Sequence, residues 1–477
     1  MQRRFVSLTR PQERAPAGRC SKTENRPGKR DRTREGLLVK VGLAEVNITP
    51  PLGNQIPGYG PKERLSTGVR DELYVKAMAI ESADTSLAFI VIDIISLELD
   101  SCERIRKRVQ EATGIPAGNV MVACTHTHTG APRPEGEYAL RYYPILEDKA
   151  ADAAIIAYAR REEASVGFGR GYEDTISFNR RFYMKDGTVQ TNPGVLNPNI
   201  DRPEGPIDPE VLVMRIDNAQ GEPIGVVSNY AVHTDCVGGT EYSSDYPAYI
   251  SRTIKQLYGE SVVSLFFQGA CGNLNHIDVS GRIDAKLVPH RVRMGNRLGL
   301  EIAKVRDLTK TSADEVLLST ASRFITVSAR ALRAHEIEWA HHKLVELDGM
   351  SEESMTARQL MEKARAERRL QSQGKPLPTR AYEIQVSAIG DLAIVALPSE
   401  MFVEFGLEIK DKSPFAYTII NELSNGSGLG YVCTPQACDH GGYEPTGALF
   451  SEEAGGRFVQ AAIDLLHERH AARCLHK

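Results

Sequence analysis

Five short apolar, β-branched runs in this chain each break off into polar, chemically capable residues, and that repeated grammar limits the possible folds more than any other feature. Leu87 to Ile92 runs into Asp93, and Val120 to Cys124 into Thr125-His126-Thr127-His128. Val226 to Val232 runs into His233-Thr234-Asp235, Val263 to Phe267 into Gln268 and the loop 269–275, and Leu392 to Leu397 into Pro398-Ser399-Glu400. Runs of this length and composition read as buried strands. A sixth strand is expected where Val39, Val41, Leu43 and Val46 alternate before the turn-rich stretch 47–53. Helical periodicity fills the gaps over 101–113, 146–163, 246–258 and 290–308, with a last helix over 452–470. The expected class is α/β, with mixed sheets and flanking helices. In such folds ligands bind beyond the carboxyl ends of the strands, where the polar residues above would converge.

The bulk numbers bound the rest. With 477 residues, 41% of them hydrophobic, the chain can fill a large core. Its strongest apolar stretch, Ser86 to Leu97, is interrupted by Asp93 and falls short of the roughly 18 apolar residues a spanning helix needs. Integral membrane association is therefore not expected. The net charge of −4 hides an asymmetry: residues 1–40 carry twelve Lys/Arg against four Asp/Glu, which leaves −12 on the remainder by subtraction. Residues 1–37 are expected to be a disordered basic arm, since they hold almost nothing that could pack. No nucleic-acid role is assigned to them. With no apolar core of a secretory signal in the arm, a cytoplasmic location is expected. Residues 38–472 are expected to form one domain, with 329–373 as a charged helical insertion in which His335, His341 and His342 are read as solvated. The eight cysteines lack the spacing of a disulfide scaffold and are expected to be thiols. Cys124, Cys236 and Cys271 stand close to site residues but are read as packing rather than ligating.

The strand ends suggest metal chemistry. If the extended backbone continues through 125–128, His126 and His128 face one side while Thr125 and Thr127 face the other. Alone, such a pair is as readily structural as metal-binding. A third imidazole at another strand end, His233, and a carboxylate at a further one, Glu400, complete a two-histidine, one-glutamate set of the kind that holds catalytic zinc and leaves a position for water. Zinc lowers the pKa of bound water to roughly 7, so hydrolysis is the chemistry implied. Asp93, Asp235 and Asp245 are candidates for orienting the imidazoles, or equally for helix caps and turns.

In this order, Gly42 to Gly53, Thr125-His-Thr-His-Thr-Gly130, Asn179-Arg180, Ala231-Val-His233, Ser243-Ser-Asp245, the loop 268–275, Pro398-Ser-Glu400, and Gly430-Tyr-Val-Cys-Thr434 with Gly442-Tyr-Glu444 resemble the catalytic domain of the neutral/alkaline, non-lysosomal ceramidases over roughly residues 38–470. The resemblance implies one zinc ion per chain, held by His126, His233, Glu400 and Tyr431, with His128, Arg180 and Tyr443 in the substrate pocket.

The chain also departs from that pattern. The family's serine, in a Gly-Asp-x-Ser-Pro-Asn loop, aligns with Asn275 in Gly272-Asn-Leu-Asn275-His-Ile. An amide cannot be a nucleophile but can donate to an oxyanion, so Asn275 is placed among the catalytic candidates and metal-activated water becomes the expected attacker. A run His233-Thr-Asp-Cys236 differs from the family's, and no immunoglobulin-like domain is expected after the last helix. The resulting expectation is a zinc-dependent hydrolase of a small-molecule amide, ester or lactone rather than of ceramide. A non-hydrolytic sugar- or polyol-processing metalloenzyme and a catalytically retired binding protein stand as the alternatives.

Overall fold

A computed structural model of the chain describes residues 39–475 apart from 60–63, 135, 283–288, 314 and 427–429. The basic arm expected over 1–37 lies outside the described residues. The strands expected from the sequence are all present. An eight-stranded sheet runs in the order Val263–Gln268, Pro223–Tyr230, Glu210–Asn218, Glu162–Tyr172, Lys40–Asn47, Tyr74–Ser82, Thr85–Ile92, Val120–Cys124. Its inner pairs are antiparallel and its two outermost pairs are parallel. A second sheet orders Leu318–Ser328, Thr379–Ile389, Leu392–Ala396 and Tyr417–Asn421, the last two parallel.

Burial explains the layering. Met78, Phe89, Met121, Leu265 and Phe267 of the first sheet form one apolar cluster with Ile389, Ile394 and Ile419 of the second, so the two sheets pack face to face. The opposite face of the first sheet is covered by helices Leu99–Thr113 and Glu137–Ala159 toward one edge. Helices Tyr246–Tyr258 and His290–Leu308 cover it toward the other. The outer face of the second sheet is covered by Ala454–Leu475. The layers therefore run helix, sheet, sheet, helix, which is the mixed α/β class expected. The first sheet also curls: the Phe89 and Phe267 rings, from strands near its opposite edges, stand 6.2 Å apart. Strands Val263–Gln268 and Val120–Cys124 thereby come into contact although they end the sheet on opposite sides.

Two boundaries differ from expectation. The helix expected over 146–163 spans Glu137–Ala159, because Pro144 is accommodated inside it and Glu162 opens a strand. Gly42 lies beneath this helix; a Cβ there would fall 2.0 Å from the Ala157 carbonyl oxygen, so only glycine permits that approach. The segment 329–373 is a pair of packed helices, Ala334–Glu346 and Ala357–Ser372, with His341 and His342 exposed. All seven described cysteines are free thiols. Among the described residues no helix is long and apolar enough to cross a membrane.

Candidate metal centre

Each of the three parallel strand pairs in the two large sheets delivers a candidate residue from its carboxyl end. Thr85–Ile92 with Val120–Cys124 leads to His126 and His128, Pro223–Tyr230 with Val263–Gln268 to His233, and Leu392–Ala396 with Tyr417–Asn421 to Glu400. The curl of the sheet then closes the distance between the first two. Glu400 and Tyr431 are direct partners in a short parallel pair, Glu400–Met401 with Tyr431–Val432, so one backbone register fixes both side chains. A further glycine makes room: a Cβ on Gly272 would lie 2.6 Å from the Glu400 carbonyl oxygen.

The expectation that 125–128 continues an extended strand is corrected. The strand stops at Cys124 and His126 takes a left-handed backbone with φ 64°, a conformation uncommon for residues other than glycine, though histidine adopts it more often than most. The turn is held by bonds from His126 N to the Ile94 carbonyl (3.1 Å) and from His128 N to the Thr234 carbonyl (3.2 Å). Both imidazoles nevertheless face the same point, with ring centroids 4.9 Å apart.

The protons on these rings can be assigned from their partners. His126 Nδ1 lies 2.8 Å from the Ile95 carbonyl oxygen and His233 Nδ1 lies 3.3 Å from that of Cys271. A carbonyl only accepts, so each Nδ1 carries hydrogen, and in the neutral ring Nε2 is the ligand atom. Those two Nε2 atoms stand 3.1 Å apart, and His128 Nε2 lies 3.4 Å from that of His126. Glu400 Oε2 is 3.4 Å from His126 Nε2 and 3.7 Å from His233 Nε2, and it is buried with no hydrogen-bond partner among the described residues. Donors about 2.0–2.1 Å from a tetrahedral zinc ion stand about 3.3 Å from one another, so these separations fit a shared cation. The ligand atoms of the three histidines all lie within 4.8 Å of one another.

Charge couples the cluster. Burial opposes a proton on His126, but the Glu400 carboxylate outweighs it and lifts the pKa, while burial of Glu400 is outweighed by His126, which lowers its pKa. Burial pushes His128 and His233 well below the usual histidine value, assisted by His126 and Arg180, so both rings are neutral at pH 7. Aspartates do not orient these rings. Asp93 accepts from Tyr74 N and Thr125 Oγ1, and Asp245 caps helix Tyr246–Tyr258 while accepting from Val237 N. Asp235 faces His276. Backbone carbonyls do the orienting instead.

The centre opens onto a cavity of about 730 Å³ lined by His128, Arg180, His233, Tyr431 and Tyr443. Arg180 is buried; its Nε donates to Glu444 Oε1 (2.8 Å) and its Nη2 to the Gly272 carbonyl (2.6 Å). Arg181 donates to the other oxygen of Glu444 at 2.8 Å, so one buried carboxylate holds both guanidiniums. The Arg180 guanidinium stands 5.3 Å from the centre of the Tyr431 ring. The Tyr431 ring lies 5.8 Å from that of Tyr443. Asn275 is not brought to the cavity wall. Its amide nitrogen donates to Asn192 Oδ1 (2.5 Å) and its carbonyl accepts from Ile277 N (3.0 Å), while Asn192 itself lines the cavity.

Three contributors escaped the sequence reading. Glu444 stood in the Gly442-Tyr-Glu444 motif without a role. Glu422 follows the apolar strand Tyr417–Asn421 in the same pattern as the other strand ends; it accepts from Cys271 N, Cys271 Sγ and Met401 N, and burial lifts its pKa to about 8. The helical pair 334–372 supplies Glu336, Trp339, Met361, Glu362, Arg365 and Arg369 to the cavity lining. A second cleft of about 560 Å³ is lined by Glu45, Asp71, Lys76, Asp93 and Lys255. These groups are already paired: Lys255 and Lys76 with Glu45, and Arg252 with Asp71.

Comparison with known proteins finds relatives of one family. Residues 39–280, just over half the chain, match the family described as neutral/alkaline non-lysosomal ceramidase, N-terminal. The chain is 24% identical over 316 residues to a neutral ceramidase of Pseudomonas aeruginosa, covering 61% of this chain and 45% of that protein. It is 23% identical over 261 residues to neutral ceramidase A of Dictyostelium discoideum, covering 50% and 35%. The chain thus spans less than half the length of these two relatives in the matched regions. In fold it is similar to the crystal structure of neutral ceramidase from Pseudomonas aeruginosa, with a TM-score of 0.67 at 20% identity over 91% of this chain and 74% of that one. A ceramidase complexed with C2 gives the same TM-score and identity, covering 91% and 76%. The chain belongs to the neutral/alkaline non-lysosomal ceramidase family.

Proposed function

We propose that this protein is a zinc-dependent amidohydrolase, with the ion held by His126, His233, Glu400 and Tyr431. The observation that carries the reading is the 3.1 Å approach of two Nε2 atoms beside a buried, otherwise unpartnered carboxylate oxygen. With neither a cation nor a proton to share, that arrangement would be repulsive and costly. When bound, zinc would polarise a substrate carbonyl and lower the pKa of a water molecule.

The chain's own residues supply the rest. His126 and His233 are locked by backbone carbonyls in the tautomer that presents Nε2. Glu400 and Tyr431 are delivered together by one strand register. His128, neutral and facing the cavity, is placed to exchange a proton with a reacting amide nitrogen or water. Arg180 contributes a fixed positive charge, immobilised by Glu444 and the Gly272 carbonyl, that favours a carbonyl oxygen gaining negative charge. Tyr443 supplies an aromatic wall with a hydroxyl.

Asn275 replaces the serine of the family pattern and spends its amide on Asn192, which supports water as the attacker and a substrate other than ceramide. The mixed lining of Trp339, Met361, Arg365 and Glu362 fits a small amide, ester or lactone bearing both apolar and polar groups. A panel of such compounds, with ceramide as one member, should be offered to zinc-loaded protein. Turnover of an amide that disappears in a folded His126→Ala variant is expected; products isomeric with the substrate, with no water added, would overturn the hydrolytic reading.

A further inference from the structure

Beyond the cavity, three metal-ligating side chains that the centre does not use come together on their own. Cys236, His276 and His290 each offer one donor atom, and these atoms all lie within 4.8 Å of one another. The three come from separate places: the segment after His233, the end of the 269–276 loop, and the first turn of helix His290–Leu308. All three are half-buried, so solvent can reach them.

The tautomer of His290 is fixed in the way a ligand requires. Its Nε2 lies 3.2 Å from the His276 carbonyl oxygen and must donate to it, leaving Nδ1 with a free lone pair. That Nδ1 is buried and has no hydrogen-bond partner among the described residues. The His276 and His290 rings are 4.7 Å apart. Asp235 Oδ1 lies 3.4 Å from His276 Nε2, close enough to favour positive charge at the cluster without a hydrogen bond between them. One turn into the helix, Met294 Sδ is 3.3 Å from Cys236 Sγ, which adds a second sulfur.

We propose that Cys236, His276 and His290 form a second metal site, distinct from the His126–Glu400 centre, which takes a thiophilic cation of the zinc or copper(I) class with Met294 as a weak additional donor. Thiolate, thioether and imidazole together select such ions over magnesium or calcium. Burial of His290, with His276 and Arg293 nearby, lowers its pKa to about 4, so the ring is neutral at pH 7. Burial beside Asp245 and Asp235 holds the free Cys236 thiol protonated. Ligation therefore replaces the S–H bond with a sulfur–metal bond and releases one proton to solvent.

Cobalt(II) titration of the full chain tests the zinc arm, because only a cobalt–thiolate bond gives an intense near-ultraviolet charge-transfer band. Two cobalt equivalents and that band are expected in the unmodified protein. Cys236→Ser and His290→Ala should each lose the band and one equivalent, whereas Cys271→Ser and His126→Ala should keep the band. His126→Ala loses the other equivalent, so failure of the two sites is told apart. Copper(I) titration against bathocuproine disulfonate tests the copper arm, with one equivalent retained by the unmodified protein and lost in Cys236→Ser. Absence of both the cobalt band and the retained copper in unmodified protein, or survival of either in Cys236→Ser, would overturn the proposal whatever the other variants do.

Discussion

His126 stands at φ 64°, in a region of backbone space that costs on the order of 1–3 kcal/mol. The turn turns a strand end into a position from which two imidazoles separated by one residue reach the same point. His126→Ala should lower turnover at least about a hundredfold and remove one zinc equivalent, both read on protein with an unchanged circular dichroism spectrum. The fourth donor is open to a direct comparison. Tyr431→Phe should weaken zinc retention on the order of tenfold or more, while His128→Ala should leave zinc bound and depress the rate; competition with a zinc chelator separates the two. Glu444, carrying Arg180 on one oxygen and Arg181 on the other, is entirely buried. Glu444→Gln should cost about 3 kcal/mol of stability, measured by denaturant unfolding, because it strands the buried Arg180 guanidinium, while Arg181 keeps Glu204 as a partner. The sequence exposed His126, His233 and Glu400 through their places after apolar runs, yet hid Glu444, because a glutamate in a Gly-Tyr-Glu run looks the same whether solvated or buried between two arginines.

At the scale of elements, the strands were legible because apolar β-branched runs of five to eight residues leave little alternative, and helix His290–Leu308 because its apolar residues recur at helical spacing. Helix Glu137–Ala159 was partly hidden by Pro144, whose ordinary effect is to end or kink a helix. The helical pair 334–372 was found as structure but missed as a cavity wall. Its charges suggest solvation, whereas several are spent internally: Glu336 accepts from Arg330 at 2.6 and 2.7 Å and from Arg369 at 2.9 Å. Burial works against the charged Glu336, but these arginines outweigh it and bring its pKa to about 2, below the ordinary value of 4.5. A carboxylate with a depressed folded pKa contributes stability above its unfolded pKa and loses that contribution as pH falls toward the folded one. Hydrogen exchange in the pair should therefore quicken as pH drops from about 4.5 toward 2, after correction for the intrinsic rate. In Glu336→Gln that acid-dependent step should be absent.

For the whole molecule, what could not be read from the chain was the curl that brings the outer strands of an eight-stranded sheet together, since sheet order and closure depend on pairings between residues far apart in sequence. Hydrophobic periodicity assigns strands to faces but not to neighbours. The centre consequently draws on residues 126, 233, 400 and 431, which span most of the folded chain and both sheets. An ion bound there stabilises the folded state by about 2.7 kcal/mol when its free concentration is a hundred times the dissociation constant. Calorimetry should accordingly show the main unfolding transition moving down by a few degrees on chelation and returning with added zinc.

The proposed ion ligands and one wall of the cavity do not come from the same kind of structure. The ligands hang from the ends of sheet strands, whereas six lining residues come from one contiguous stretch, the helical pair 334–372. A graft that exchanged this stretch for another of equal span would redraw the shape and polarity of the chamber while leaving the strand ends where they are. Divergence in what the scaffold accepts can thus proceed through a single replaceable module, without passing through forms that have lost their ion.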